Sequence, residues 1–184
     1  MTLTKTPICN FGEKAKNFNL SSTENKKITI EDVKGENGTL IIFMCNHCPY
    51  VKAVINDIVE DAKFLGNLGI KTAAIMSNDV KNYPEDSFEN MISFSKSNKF
   101  SFPYLYDETQ KIAKSYGAVC TPDFFGYNKN LELQFRGRIR ELKNLKPVNE
   151  GDSDLKIAMK LIAETGNGPK NQIPSMGCNI KWFK

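Results

Sequence analysis

Hydrophobic residues in this chain follow two patterns: short unbroken runs, and runs spaced three and four apart. Residues 40–44, Leu-Ile-Ile-Phe-Met, form an unbroken run too short for a helix, which predicts a strand buried on both faces. After Pro49 the apolar positions Val51, Val54, Ile55, Ile58, Val59 and Ala62 repeat at helical spacing, predicting a helix with one buried face that ends near Gly66. Residues 70–76 make a second apolar run. It reads as a strand parallel to the first, joined to it by a right-handed crossover.

The remaining elements follow from shorter signals. Residues 17–20 and 27–30 alternate around a polar turn and predict an N-terminal hairpin. A helix begins at residues 83–87, with Pro84 early and Glu85 and Asp86 in its first turn, turns Phe88, Met91 and Ile92 inward, and fades by Asn98. Residues 102–107 are extended, and Asp107 can cap a helix over residues 108–116 that stops at Gly117. Residues 131–136 alternate cleanly and pair back antiparallel on residues 123–127. Ser153 caps a last helix over residues 154–165. Residues 174–182 have no regular period, but they are too apolar and aromatic to float free and are expected to pack back on the domain. This order predicts an α/β fold with a central mixed sheet, helices on both faces and an antiparallel hairpin at one side. It reads as one domain over 1–184, with a core at 15–165 and a C-terminal extension at 166–184.

Composition narrows the function classes. The chain's 184 residues suffice for one well-packed domain and argue against a second. The net charge of +4 is spread over many lysines without interleaved aromatics, so no nucleic-acid partner is expected. The one basic concentration, Arg136-Gly137-Arg138-Ile139-Arg140, reads as a solvated strand edge. No run approaches the ~20 apolar residues of a membrane span, and the first residues lack a charged segment followed by an apolar one. A cytoplasmic location without membrane partners is the expectation. Cysteines stand at 9, 45, 48, 120 and 178; an odd number in a reducing compartment points to redox chemistry or metal binding rather than structural bridges.

The chemistry concentrates between the first strand and its helix, at Cys45-Asn46-His47-Cys48-Pro49. Proline suits the first helical position, which makes Cys48 the N-cap. First-turn N–H groups and the helix dipole then favour thiolate, the nucleophilic form, at Cys48. His47, the only histidine, can donate to a developing anion or add local positive charge; otherwise it is an exposed spacer. A partner thiol comes from Cys45, nearest in sequence, then Cys120, then Cys178 on a mobile tail, or from a small-molecule thiol. Cys9 reads as incidental. A zinc site of four cysteines is the weaker alternative, because no second Cys-x-x-Cys exists; no metal and no cofactor are expected.

Several stretches together resemble the thioredoxin fold and, within it, the peroxiredoxin-like (AhpC/TSA-type redoxin) family. Residues 43–49 resemble the active-site strand and turn, with Cys48 at the place of the nucleophilic cysteine. Residues 102–107 and 114–118 resemble the segment before the cis-proline loop, residues 121–125 the loop itself, and residues 174–182 the tail of a bacterial subgroup. The resemblance implies a cis bond at Thr121–Pro122. It also implies that the Thr121-Pro122 loop lies against the active-site turn, bringing Cys120 near, with the Thr121 backbone open to an extended substrate beside Cys48. Peroxiredoxins carry threonine three residues before the peroxidatic cysteine and proline four residues earlier; here those positions hold Cys45 and Ile41, and Arg136 and Arg138 are the only candidates for the peroxide-polarising arginine. The chain therefore reads as a thiol–disulfide oxidoreductase with Cys48 as nucleophile. The alternatives are a thiol peroxidase (a peroxiredoxin-type antioxidant) or a non-catalytic thioredoxin-fold binding module. The implied partners are protein or small-molecule disulfides or peroxides, and a reducing thiol.

Overall fold

A computed structural model describes residues 2–7 and 10–184 of the chain. Its centre is β4 (Gly38–Phe43), every residue of which is buried. That explains its unbroken apolar sequence: Leu40 and Ile42 point into one core, Ile41 and Phe43 into the other. β4 runs parallel to β5 (Ile70–Met76) and antiparallel to β8 (Asp123–Tyr127). β6 (Tyr104–Tyr106) extends the parallel half. The hairpin of β2 (Asn19–Ser22) and β3 (Lys27–Thr29) closes one edge and β9 (Leu133–Phe135) the other. Among the described residues the sheet has seven strands in the order β3-β2-β6-β5-β4-β8-β9.

Helix α1 (Pro49–Gly66) connects β4 to β5 and buries Val51, Val54, Ile55, Ile58 and Ala62 of the expected face, with Leu65 added and Val59 only half-buried. Each of the larger side chains contributes about 1.5–3 kcal/mol by leaving water. α2 (Phe88–Ser97) and α4 (Asp154–Thr165) share this face of the sheet through Met91, Leu155, Met159 and Ile162. α3 (Lys111–Tyr116) covers the opposite face with Ala113 and Tyr116. Gly117 closes α3 at φ 64°, a left-handed cap that glycine adopts without strain.

Several elements differ from the sequence expectation. The helix expected from residue 83 is split into a 3₁₀ turn (Pro84–Asp86) and α2, because Ser87 is extended and caps α2 through the Asn90 N–H. The split frees Asp86 to turn inward. α3 starts at Lys111 rather than 108, because Gln110 takes a left-handed conformation. Asp107 still caps it, its carboxylate accepting from the N–H groups of Ile112 and Ala113. β9 is shorter than its alternation suggests, with Leu131 at positive φ and an irregularity opposite Gly126 and Tyr127. The hairpin of β10 (Leu142–Lys143) and β11 (Lys146–Pro147) was not foreseen; it turns at Asn144 and Leu145, and leucine is an unusual residue at positive φ. The basic stretch is not a solvated edge. Arg136 is buried and paired with Asp123 at 2.9 Å, Arg138 pairs with Asp154 and Glu141, and Arg140 pairs with Asp57.

The C-terminal segment carries the largest difference. It packs back as expected, but as a strand: β12 (Met176–Asn179) lies between β1 (Leu3–Lys5) and β7 (Cys120–Thr121) in a second small sheet. Nor does its position fit a loose tail. The Lys181 N–H donates to the Asn78 side chain, the Lys181 carbonyl accepts from Asp79 N–H and from the Gln110 side chain, and the Phe183 N–H donates to Gln110.

Candidate active site

Cys48 caps α1 directly before Pro49, at φ −65° and ψ 122°. Its side chain makes no full capping hydrogen bond, yet the Val51 N–H points toward the sulfur and favours its anion. The sulfur is fully buried and surrounded by donors. Cys178 Sγ lies 2.8 Å away, and the Thr121 carbonyl, at 3.2 Å, accepts the Cys48 S–H when the thiol is protonated. The Cys45 S–H donating to the Cys48 thiolate does most to bring Cys48 down to about 5. Burial opposes the change, and Cys178, Thr121 and Val51 add to it. Cys45 moves well upward, first because that same hydrogen bond holds its proton and then through burial. Cys178 is pushed up to about 12 by burial and by the neighbouring Cys48, with the Tyr50 N–H acting the other way. One proton thus leaves a three-thiol cluster early, from Cys48, and the other two stay.

The turn holding Cys45 and Cys48 is fixed by a residue whose sequence neighbours mark it as a helix-start acid. Asp86, fully buried, accepts from the backbone N–H groups of Asn46 and His47 and from the Asn78 side chain, and its Oδ2 lies 2.6 Å from His47 Nδ1. Burial alone would raise the Asp86 carboxyl, but His47 and these donors hold it below its usual range. The Asp86 hydrogen bond in turn raises His47. His47 is no exposed spacer: it stacks on Tyr83 at 5.7 Å and reaches to 3.8 Å of Cys45 Sγ. Tyr104 completes the turn by donating to the side-chain oxygen of Asn46 at 2.9 Å. No local signal in the sequence marks this partner: Asp86 closes a 3₁₀ turn that Pro84 opens, some forty residues from the N–H groups it accepts.

The Thr121–Pro122 peptide is cis, as the resemblance implied. Thr121 lies against the turn, with Oγ1 at 3.6 Å from Cys45 Sγ. Its backbone is not open to a substrate, however: β12 occupies that edge, with Cys178 directly opposite Thr121. Cys120 is placed otherwise. Its thiol lies 3.7 Å from the Pro122 carbonyl, no hydrogen bond to Cys48 or Cys45 is formed among the described residues, and burial first, then Asp123, pushes it far up. Cys9 lies outside the described residues. Arg136, a candidate for polarising a peroxide, is committed to Asp123 and the Gly117 carbonyl and stacks over Phe125.

Cys45, His47 and Asp86 place one ligand-capable atom each within 4.8 Å of one another, a spacing a metal ion could use. The Asp86 oxygens are already engaged by four donors, so an ion there would have to replace the His47–Asp86 hydrogen bond. Among the described residues no helix is long and apolar enough to cross a membrane.

A family model described as the AhpC/TSA family matches residues 11–142. An uncharacterized conserved protein from Geobacillus kaustophilus is 37% identical, with a TM-score of 0.94 over 100% of this chain and 97% of that one. A hypothetical protein from Sinorhizobium meliloti is 32% identical, with a TM-score of 0.90 over 98% of each chain. The thioredoxin domain of a thiol-disulfide oxidoreductase from Bacteroides vulgatus shares the fold at 13% identity, with a TM-score of 0.60 over 74% of this chain and 91% of that one. Among curated proteins none matches. The fold is thioredoxin-like: a central mixed sheet flanked by helices.

Proposed function

Because the chain belongs to the AhpC/TSA family, a family of thiol redox proteins, we propose that it is a thiol–disulfide oxidoreductase in which Cys48 is the nucleophile and Cys178 its partner. One observation carries this reading: a sulfur brought down to about 5 at a helix N-terminus, 2.8 Å from a second sulfur. The Cys48 thiolate attacks one sulfur of a substrate disulfide. A Cys48–substrate bond forms, the substrate S–S bond breaks, and the departing thiolate takes the electron pair. Cys48 then carries no charge, Cys178 passes its proton to the departed substrate thiolate, and the Cys178 thiolate attacks Cys48 Sγ, forming the Cys48–Cys178 bond and expelling the second substrate sulfur with its electron pair. The substrate gains two electrons and the chain retains a Cys48–Cys178 disulfide, which an external thiol reduces. Cys45 supplies the main donor to the Cys48 anion, and His47, whose protonated form the Asp86 carboxylate favours, stands beside Cys45 in the turn. Cys120 takes no part.

The choice of disulfides over hydrogen peroxide rests on the donors. Fast peroxide cleavage needs strong donors aimed at the departing oxygen. The groups around Cys48 are two thiols, the Thr121 hydroxyl and an amide, none of them charged, and the buried guanidinium of Arg136 is spent on Asp123. The burial of Cys48 beneath β12 favours a small oxidant instead, and so supports the peroxidase as second reading. Stopped-flow oxidation of the reduced chain by hydrogen peroxide and by a small disulfide, in the native chain and in Cys48→Ser, separates them. Cys48-dependent oxidation by the disulfide, with peroxide no faster than with a free thiol, is the expected result. Cys48-dependent peroxide rates far above a free thiol's would make it a peroxidase, and no Cys48-dependent reaction would leave a binding module.

A further inference from the structure

The edge of Thr121, where an extended substrate would pair beside the nucleophile, is taken by the chain's own β12. Cys178 stands opposite Thr121 and presents its sulfur to Cys48 at 2.8 Å, the placement a substrate cysteine would need. The residue before it is fixed by close approach. A Cβ on Gly177 would stand 2.1 Å from the Thr121 carbonyl oxygen and 2.8 Å from its carbon, both backbone atoms that cannot swing aside. One position earlier the restriction disappears, since Met176 is 39% exposed. On that side a cavity of about 460 Å³, lined by Tyr50, Pro122, Ile139, Ile173 and Met176, continues the groove.

Beyond its C-terminal end β12 leads into residues with anchors of their own, one of which, Lys181, also reaches back through its ammonium to the Asn179 carbonyl and side chain. Lys181 and Phe183 are fastened to Asn78, Asp79 and Gln110, none of which belongs to β12 or its neighbours. On its outer side β12 pairs with β1, a three-residue strand with exposed ends. Residues 176–179 can therefore leave Thr121 at the cost of the Lys181–Asn179 bonds, while the backbone anchors of residues 181–183 stay in place.

We propose that β12 is an intramolecular stand-in for substrate. The groove between Pro122 and the first turn of α1 takes in trans an extended polypeptide segment in which glycine directly precedes the reacting cysteine. The segment displaces β12, pairs with Thr121, and offers its disulfide sulfur to Cys48. The Cys48–peptide S–S bond forms as the segment's original S–S bond breaks, and the departing thiolate carries the electron pair. This rests on Cys48 acting in thiol–disulfide exchange.

The test uses the full-length Cys178→Ser chain, reduced, with two peptides carrying the sequence of residues 174–180. In each the cysteine is linked by a disulfide to thionitrobenzoate; one keeps the glycine, the other has valine in its place. Release of the coloured thiol reads the attack of Cys48, and a small disulfide without peptide serves as reference. The glycine peptide should react at least about tenfold faster than the valine peptide, about 1.4 kcal/mol, because a side chain at that position overpacks against fixed backbone. A second chain carrying Gly177→Ala together with Cys178→Ser, its own strand pushed off the edge, should react faster still with the glycine peptide. Equal rates for the two peptides in the Cys178→Ser chain, with the small disulfide reacting, would overturn the proposal and leave the proposed function standing. No reaction with any of the three probes would overturn both. If the doubly substituted chain does not fold, the Cys178→Ser comparison decides alone.

Discussion

Cys48 and Cys120 are both completely buried, and both sit beside Thr121, yet they are opposite kinds of thiol. Cys48 meets a helix N-terminus and hydrogen-bond donors from Cys45, Cys178 and Thr121, and falls to about 5. Cys120 meets burial and the carboxylate of Asp123, and rises far above the usual thiol range. Burial acts on both in the same upward direction, so burial cannot decide reactivity. The donors decide it, and they are available at Cys48 because the chain leaves β4 and enters α1 there.

The largest expected effect separates the two thiols directly. Cys48→Ser should lower the rate of disulfide reduction by about 10³-fold or more, the scale of losing an activated nucleophile, whereas Cys120→Ser should stay within about twofold. Steady-state reduction of a small disulfide with excess dithiol checks both; equal losses would abolish the distinction.

The second effect concerns pH. Alkylation of Cys48 in the reduced chain should rise with a midpoint near about 5, with Cys120 unreactive across the neutral range. The sign for stability comes from the same shift. A thiol lower in the folded than in the unfolded chain stabilises the fold fully above its unfolded value, and that contribution is lost as pH falls through about 5. Cys178→Ala removes a donor and should move the Cys48 midpoint upward. A midpoint unchanged in that variant would mean that Cys178 is a neighbour without influence.

Legibility in the sequence depends on the range of each interaction. α1 and α4 are readable because one face of each meets one core, and β4 and β5 because burial on both faces makes their apolar runs nearly unbroken. Cys48 as N-cap was equally readable, because Pro49 and the end of the apolar run are adjacent to it. Contacts across the chain could not be read. Cys178 stands 130 residues from Cys48, and the Gly177 approach to Thr121 leaves no periodic trace. Asp86 was hidden for the same reason: its sequence neighbours make it a helix-start acid, while its partners lie some forty residues away at Asn46 and His47.

A smaller effect is expected at that anchor. Asp86→Asn keeps the shape but loses the charge, so His47 should titrate at lower pH and the Cys48 rate should fall about three- to tenfold, the scale of one weakened electrostatic partner. Imidazole resonances followed by NMR against pH provide a readout that a mere loss of packing would not move in that direction.

The smallest effect lies away from the sulfur cluster and sharpens the comparison by contrast. Asp61 is raised to about 6, chiefly by burial between α1 and α4, where the Ser153 hydroxyl donates to it. A carboxyl raised by folding adds stability below its unfolded value, near 3.8, and that addition is lost as pH rises through about 6. Asp61→Asn should flatten this dependence and stabilise the chain by about 1 kcal/mol at neutral pH, the shift being discounted for partial solvent access. Disulfide reduction should be unchanged. Denaturant melts across the acid range check the first statement and turnover checks the second.

The central claim is that Cys48 and Cys178 form the redox pair. Its most direct test is to oxidise the reduced chain with one equivalent of a small disulfide and locate the new bond by peptide mapping in a mass spectrometer. A Cys48–Cys178 bridge as the main product is the predicted result; a Cys45–Cys48 bridge, or a Cys48 mixed disulfide that persists although Cys178 is present, would contradict it.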